Sequence, residues 1–193
     1  GVIAFPTDTF YGLGVDPFNR DAVDQIFAIK GREKKKPLLL LISAREQLET
    51  LVRDITPAHS TLMQEFWPGP LTLLFEPRSV ILDNVSAGLI GIRQPGNSMT
   101  RDLISSFGQA ITAPSANLSG EAPPTSAKQV EQSLGSHLDL IIDGGTCPGG
   151  EPSTLVDATE TPVRLIRPGA IPFSDIELAL RGNTKPDQPE VLE

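Results

Sequence analysis

Short apolar segments alternate along the chain with segments whose apolar residues recur every three to four positions. The short segments predict strands at residues 2–5, 38–42, 71–75, 89–93, 110–113, 140–143, 154–157 and 163–167. The amphipathic segments predict helices between Asp21 and Gly31 and at residues 46–53, 58–66, 99–107, 127–134 and 175–181. Because several strands follow one another directly while others are separated by helices, we expect an α/β protein with a mixed sheet.

Composition predicts one globular domain of ordinary size. The 193 residues are 39% hydrophobic, and we place the domain at residues 1–181 with a polar, proline-containing tail at 182–193. No apolar run approaches the roughly 18 residues that would cross a membrane. The single cysteine, Cys147, cannot form an intramolecular disulfide, which favours a reducing compartment and hence the cytoplasm. Since the two histidines lie far from it in the sequence, we predict no protein-bound metal site.

Charge is distributed unevenly along the chain. The formal net charge is −8, yet five of the 16 basic residues fall within residues 30–36, directly before the apolar strand at 38–42. Lys30, at the end of a helix, complements the helix dipole. For the other cations, two interpretations remain open: a solvated loop, or a clamp for phosphate groups at the mouth of a cavity. Arg93 and Arg167, each at the end of an apolar strand, favour the second interpretation and an anionic ligand.

Polar loops follow two of the predicted strands. Thr7, Asp8 and Thr9 come directly after the first strand, and they are small groups of the kind that orient a ligand. In the segment TAPSANLSG, Ser115, Asn117 and Ser119, with the surrounding backbone N–H groups, could form a concavity that binds an anion. No histidine lies near Ser115 and no GxSxG motif is present, so a hydrolase triad is not supported. The GxG at Gly12 lacks the third glycine of a dinucleotide-binding fingerprint.

Seven motifs occur in an order that resembles the YrdC-type threonylcarbamoyl-AMP synthases, in their short, single-domain form. They are PTDTFYGLG, KGR…KKPLLLLI, FWPGPLTLLF, IRQP, APSANLSG, PSTLVD and IRPG, and together they cover nearly the whole chain. The resemblance implies a twisted open sheet around a large, positively charged cavity. It also implies a nucleotidyltransferase that makes L-threonylcarbamoyl-AMP and pyrophosphate from L-threonine, bicarbonate and ATP. The product would supply a downstream threonylcarbamoyl transferase acting on tRNA position 37.

The resemblance assigns roles to individual residues. Lys30 and Arg32 match the catalytic basic pair of the family, and we expect both side chains to face the cavity. ATP, with Mg²⁺ carried by the nucleotide, would contact this pair and Lys36, Ala113, Ser115, Asn117 and Arg167. Threonine would contact Thr7, Thr9, Arg93 and Ser153, with Arg93 suited to its carboxylate.

Two positions depart from the family pattern, and two other functions stay open. Leu41 stands where some members have a histidine near the threonine, and Pro123 stands where others have a serine. Leu41 therefore makes threonine specificity less secure than ATP binding. A related carbamoyl-transfer enzyme is the first alternative. The second is a non-catalytic RNA-binding module, which the acidic net charge disfavours although weak contact with tRNA remains open.

Overall fold

The computed structural model describes residues 1–31, 37–86 and 88–182 of the chain. The strands are β1 (Ile3–Phe5), β2 (Gly12–Gly14), β3 (Leu40–Leu41), β4 (Leu71–Phe75), β5 (Ile90–Arg93), β6 (Ile111–Thr112), β7 (Leu140–Ile141), β8 (Thr154–Asp157) and β9 (Arg164–Arg167). The α-helices are α1 (Arg20–Lys30), α2 (Arg45–Leu51), α3 (Pro57–Phe66), α4 (Ser98–Phe107), α5 (Ala127–Leu134) and α6 (Phe173–Gly182). The α/β class is confirmed. The predicted tail lies almost entirely outside the described residues.

The strands divide between two mixed sheets. The larger has the order β6-β3-β5-β4-β8-β9, in which β3 runs parallel to β5 and β4 runs parallel to β8. The smaller has the order β2-β1-β7, with β1 antiparallel to β2 and parallel to β7. Strand β2 was not predicted, because Gly-Leu-Gly has little intrinsic preference for a strand and is held there by pairing with β1.

The two sides of the leucine-rich segment explain why it is continuously apolar. Leu40 packs in the main core, while Leu41 packs in a second cluster with Phe5, Ile104 and Ile111. Both leucines are fully buried. The prediction of a strand buried on both faces is therefore confirmed, although regular pairing is limited to Leu40 and Leu41.

Helix α1 brings its last residue, Lys30, back toward the sheet. Its N-cap is Asn19, whose side chain accepts a hydrogen bond from the amide of Ala22, so the prediction that Asp21 caps the helix is wrong. Gly31 ends the helix in the left-handed conformation at φ +56°, as expected for a glycine C-cap. Within the described part of the chain, every helix is too short or too polar to cross a membrane.

Candidate functional site

A cavity of about 800 Å³ opens between the two sheets and the loops that follow their strands. Its wall includes residues from the loop after β1, the segment before β3, strands β4 and β5, the loop after β6, and strands β8 and β9 with the loop before β8. Arg93 and Arg167 are the two residues of this wall, among those described, that carry a full charge at neutral pH. Threonine and serine hydroxyls surround them, so the wall suits an anionic, hydrogen-bonding ligand.

Arg93, at the end of β5, is paired with Asp8. Its Nη1 donates to Oδ1 of Asp8 at 2.5 Å, and the two side chains are 3% and 15% exposed. Burial lowers the pKa of Arg93, and the nearby Asp8 carboxylate opposes that shift. The pair is held by one hydrogen bond: Nε of Arg93 and Oδ2 of Asp8 are both buried without a hydrogen-bonding partner in the described structure.

Arg167, on the edge strand β9, contacts Ser153. Its Nη2 donates to the carbonyl oxygen of Ser153 at 2.9 Å and to its hydroxyl at 3.2 Å. The Ser153 hydroxyl also lies 2.8 Å from that of Thr72 on β4. Desolvation lowers the pKa of Arg167, and the charge of Arg93 lowers it further. The two arginines are therefore close enough for the charge of one to act on the other.

Two threonine hydroxyls line the wall near these arginines. Thr7 and Thr9 are both buried, with their Oγ1 atoms 3.1 Å apart. Thr7 donates to the carbonyl oxygen of Phe10 at 2.7 Å, so its hydroxyl fixes the turn after β1. The structure thus brings the four predicted threonine-binding residues, Thr7, Thr9, Arg93 and Ser153, to one cavity. Their role in binding stays a prediction.

Lys30 does not face this cavity, contrary to expectation. The residue is 3% exposed, and its ammonium bonds to the carbonyl oxygens of Ser115 and Asn117, the latter at 2.7 Å. The carbonyl oxygen of Lys30 accepts from the amide of Ser119 at 2.9 Å. The last turn of α1 is therefore tied to the loop after β6. Sequence reasoning missed this because a lysine in a last helical turn usually extends into solvent.

The loop after β6 places two of its three predicted nucleotide-binding residues in the cavity wall. Ala113 and Ser115 line the cavity. The amide of Asn117 turns away, donating to the carbonyl oxygens of Leu118 and Glu121. Asn117 instead borders a smaller adjoining pocket of about 220 Å³. The hydrogen bonds of the Asn117 side chain within its own loop are those of a residue that fixes the loop conformation.

Three further positions can be placed. Arg32 and Lys36 lie outside the described residues, so their predicted contacts with ATP stay predictions. Leu41 is buried among Phe5, Ile104 and Ile111 and is absent from the cavity wall. The expectation that position 41 lies near the threonine is therefore wrong for this arrangement. Pro123 does line the cavity.

Sequence reasoning missed Tyr11 and Thr72 as lining residues. The Tyr11 hydroxyl donates to the carbonyl oxygen of Gly145 at 2.8 Å, and the Gly149 amide donates to that of Thr9 at 2.9 Å. These bonds hold the glycine-rich loop before β8 against the cavity. Cys147 in that loop is buried, and burial raises the pKa of its thiol, as expected for an inert cysteine.

The comparison with known families agrees with this geometry. A model of the Sua5/YciO/YrdC family, described as "Telomere recombination", matches residues 1–169. The chain belongs to this family. The family resemblance found in the seven motifs is thereby confirmed, and the single-domain form stays a prediction.

Related proteins carry a common name. A threonylcarbamoyl-AMP synthase from Pyrococcus abyssi is 41% identical to this chain over 178 residues, which are 91% of this chain and 52% of that protein. The protein of the same name from Bacillus subtilis is 41% identical over 182 residues, 93% of this chain and 53% of its own length. The chain therefore spans about half the length of these two relatives.

Solved structures show the same fold. The crystal structure of P. abyssi Sua5 complexed with L-threonine matches with a TM-score of 0.89 and 39% identity, covering 93% of this chain and 53% of that one. E. coli YciO matches with a TM-score of 0.82 over 91% of this chain and 86% of its own, but at 24% identity this likeness concerns the fold alone.

Proposed function

We propose that the chain synthesises L-threonylcarbamoyl-AMP and pyrophosphate from L-threonine, bicarbonate and ATP, acting as a nucleotidyltransferase. The observation that carries this proposal is the cavity wall on which Arg93 and Arg167 lie among the hydroxyls of Thr7, Thr9 and Ser153. Membership of the family and the names of the two synthases support the same activity. The product would supply a threonylcarbamoyl transferase that modifies tRNA, in the cytoplasm.

The reaction places several negative charges in one cavity. The threonine amine and bicarbonate form a carbamate, losing water; a carbamate oxygen then attacks the α-phosphorus of ATP, and pyrophosphate leaves. Such a transfer depends on positioning and on neutralising charge more than on a protein nucleophile. Arg93 would bind the threonine carboxylate, with the Thr7 and Thr9 hydroxyls orienting the amino acid. Arg167 and Ser115 would bind the nucleotide.

The buried position of Lys30 suggests how it would serve this reaction. Its ammonium is bonded to the carbonyl oxygens of Ser115 and Asn117, so it would fix the loop that receives the nucleotide. We therefore propose Lys30 as a positioning residue for that loop. Arg32, which the family resemblance pairs with Lys30, would contact the phosphates directly, as would Lys36.

The described residues contain no cluster of three or more His, Cys, Asp or Glu side chains suited to a metal ion. Asp8, the acid closest to Arg93, is paired with that arginine. We propose that Mg²⁺ enters with ATP, held mainly by the phosphates, where it supplies charge neutralisation. The protein's own contribution would be the arginines, the hydroxyls and the shape of the cavity.

Omission of one substrate at a time tests the function. Pyrophosphate release is measured with ATP, bicarbonate and threonine together, and again with each one left out. We expect release only from the complete mixture, and much less with serine in place of threonine. Equal release without threonine would contradict the proposal.

A reaction driven by carbamoyl phosphate would identify the carbamoyl-transfer alternative, and salt-sensitive tRNA binding without ATP binding would identify the RNA-binding one.

A further inference from the structure

The two arginines of the cavity differ in what holds them. Arg93 is paired with a carboxylate, that of Asp8, at 2.5 Å. The partners observed for Arg167 are the carbonyl and hydroxyl oxygens of Ser153, which carry no charge. The charge of Arg93 is thus compensated where it lies, while that of Arg167 is available to a ligand.

Asp8 is absent from the cavity wall that Arg93 helps to form. Thr7, Thr9 and Arg93 line the wall, whereas Asp8, between the two threonines in sequence, does not. Oδ2 of Asp8 is buried near Gly96, where an added Cβ would lie 3.3 Å away. A ligand in the cavity therefore meets Arg93 but not the carboxylate that neutralises it.

A site for an amino acid beside a nucleotide must keep the two anions apart. A triphosphate carries several charges and would outcompete a single carboxylate for any free cation. A carboxylate and a phosphate group can each accept two parallel hydrogen bonds from a guanidinium, so geometry alone does not separate them. Charge compensation weakens the attraction of Arg93 for anions in general, and the loss is greatest for a ligand with several charges, which removes the advantage of the triphosphate over a single carboxylate.

We propose that Asp8 is a specificity-determining residue, which fixes the Arg93 guanidinium and cancels its charge so that Arg93 accepts an amino-acid carboxylate in preference to phosphate groups. This inference rests on the proposed function. Asp8 acts through Arg93 and does not touch substrate. Its removal would turn a selective carboxylate site into a general anion site.

Pyrophosphate, which the proposed reaction releases, serves as the probe. In the unaltered protein we expect added pyrophosphate to compete with ATP but not with threonine. In Asp8→Asn, which preserves shape and removes the charge, we expect pyrophosphate to compete with threonine as well, and to raise the apparent KM for threonine at least tenfold at a concentration that leaves this KM unchanged in the unaltered protein. A tenfold change corresponds to about 1.4 kcal/mol.

Two other variants separate the effect of the Asp8 charge from that of the carboxylate's position and from the non-specific effect of removing an acidic residue. Gly96→Ala crowds the Asp8 carboxylate but keeps every charge, so it should raise the KM for threonine without making pyrophosphate a competitor of threonine. Asp83→Asn removes the acid from the exposed Arg20–Asp83 pair and should leave both KM values and the inhibition pattern unchanged.

Stability gives a second readout that needs no catalysis. Arg93→Met strands the Asp8 carboxylate in the interior and should lower the denaturant midpoint strongly. Adding Asp8→Asn to Arg93→Met should raise that midpoint again.

Three results would overturn the inference. They are unchanged inhibition by pyrophosphate in Asp8→Asn, a double variant less stable than Arg93→Met alone, and the absence of any threonine-dependent reaction in the unaltered protein. The third would refute the proposed function as well. The first two, seen in a protein that does use threonine, would refute only the role of Asp8.

Discussion

The ammonium of Lys30 donates a hydrogen bond of 2.7 Å to the carbonyl oxygen of Asn117, joining the end of α1 to the loop after β6. A second bond reaches the carbonyl oxygen of Ser115, which lines the cavity. A residue expected to touch phosphates therefore lies beneath the loop proposed to hold them.

Lys30→Met should consequently lower both stability and nucleotide binding. The change removes the ammonium donor from the buried Asn117 carbonyl oxygen, and an unsatisfied buried group costs about 1–3 kcal/mol. The Ser115 carbonyl oxygen also loses the ammonium but still accepts from the Asn117 amide at 3.0 Å. We expect a lower denaturant midpoint and at least a tenfold higher KM for ATP, about 1.4 kcal/mol. Lys128→Ala, on the exposed face of α5, is the matched control and should change neither. Unaltered stability in Lys30→Met would contradict the buried position of Lys30 and would indicate that its side chain faces the cavity.

Gly169→Ala should displace the backbone at residues 152–154, which leads into β8. A Cβ at this position would lie 2.6 Å from the Ser153 carbonyl carbon and the Thr154 amide nitrogen, closer than real contacts allow. Because these are backbone atoms, the segment itself must move, and we expect a loss of about 1–3 kcal/mol in unfolding free energy. Gly88→Ala, where an added Cβ meets open space, is the control. Equal midpoints for the two variants in urea would contradict the close approach.

Thr72→Val should weaken threonine binding although it changes no charged group. The Thr72 hydroxyl lies 2.8 Å from that of Ser153, which Arg167 also contacts. Removing the Thr72 hydroxyl breaks its hydrogen bond to Ser153, which is worth about 1 kcal/mol. The KM for threonine should therefore rise about fivefold with little change in kcat. Thr50→Val, on the exposed surface of α2, should leave KM unaltered. A KM for threonine that is the same in Thr72→Val and the unaltered protein would exclude this link.

Stability should decrease in acid because of His59. Its Nε2 donates to the carbonyl oxygen of Leu74 at 2.8 Å, and its Nδ1 accepts from the Thr56 amide, so the buried ring is neutral. Burial lowers the pKa of His59 below the ordinary value of 6.5. The unfolded chain then binds a proton that the folded chain excludes, and stability falls as pH drops below about 6.5. His59→Gln should flatten this dependence in thermal unfolding, while the exposed His137→Gln should preserve it.

Sequence patterns predicted most of the fold because the apolar strands are short and well separated. Segments such as 71–75 and 154–157 have the structure expected of them. The patterns failed where tertiary pairing overrides local preference. Gly12–Gly14 becomes a strand only because β1 lies beside it, and Asn19 was overlooked as a cap because Asp21 is equally able to cap a helix.

The sequence predicted which cations at strand ends belong to the candidate site, but it did not predict how the side chains of the site are oriented. Arg93 and Arg167 follow apolar strands, so their convergence on a cavity could be anticipated. Thr72 lies inside an apolar strand, and its hydroxyl was the single sequence feature there that could indicate a position in the cavity wall. The burial of Lys30 and the pairing of Asp8 with Arg93 join segments 85 residues apart in sequence, and no local pattern encodes such contacts.

The most direct test of the proposed activity follows the carbon of bicarbonate. The protein is incubated with labelled bicarbonate, ATP and threonine, and the nucleotide products are separated and analysed by mass spectrometry. We predict a labelled adduct containing AMP, one carbonyl group from bicarbonate and one threonine, formed together with one pyrophosphate. A nucleotide fraction that carries no label while ATP is consumed would contradict the proposed activity.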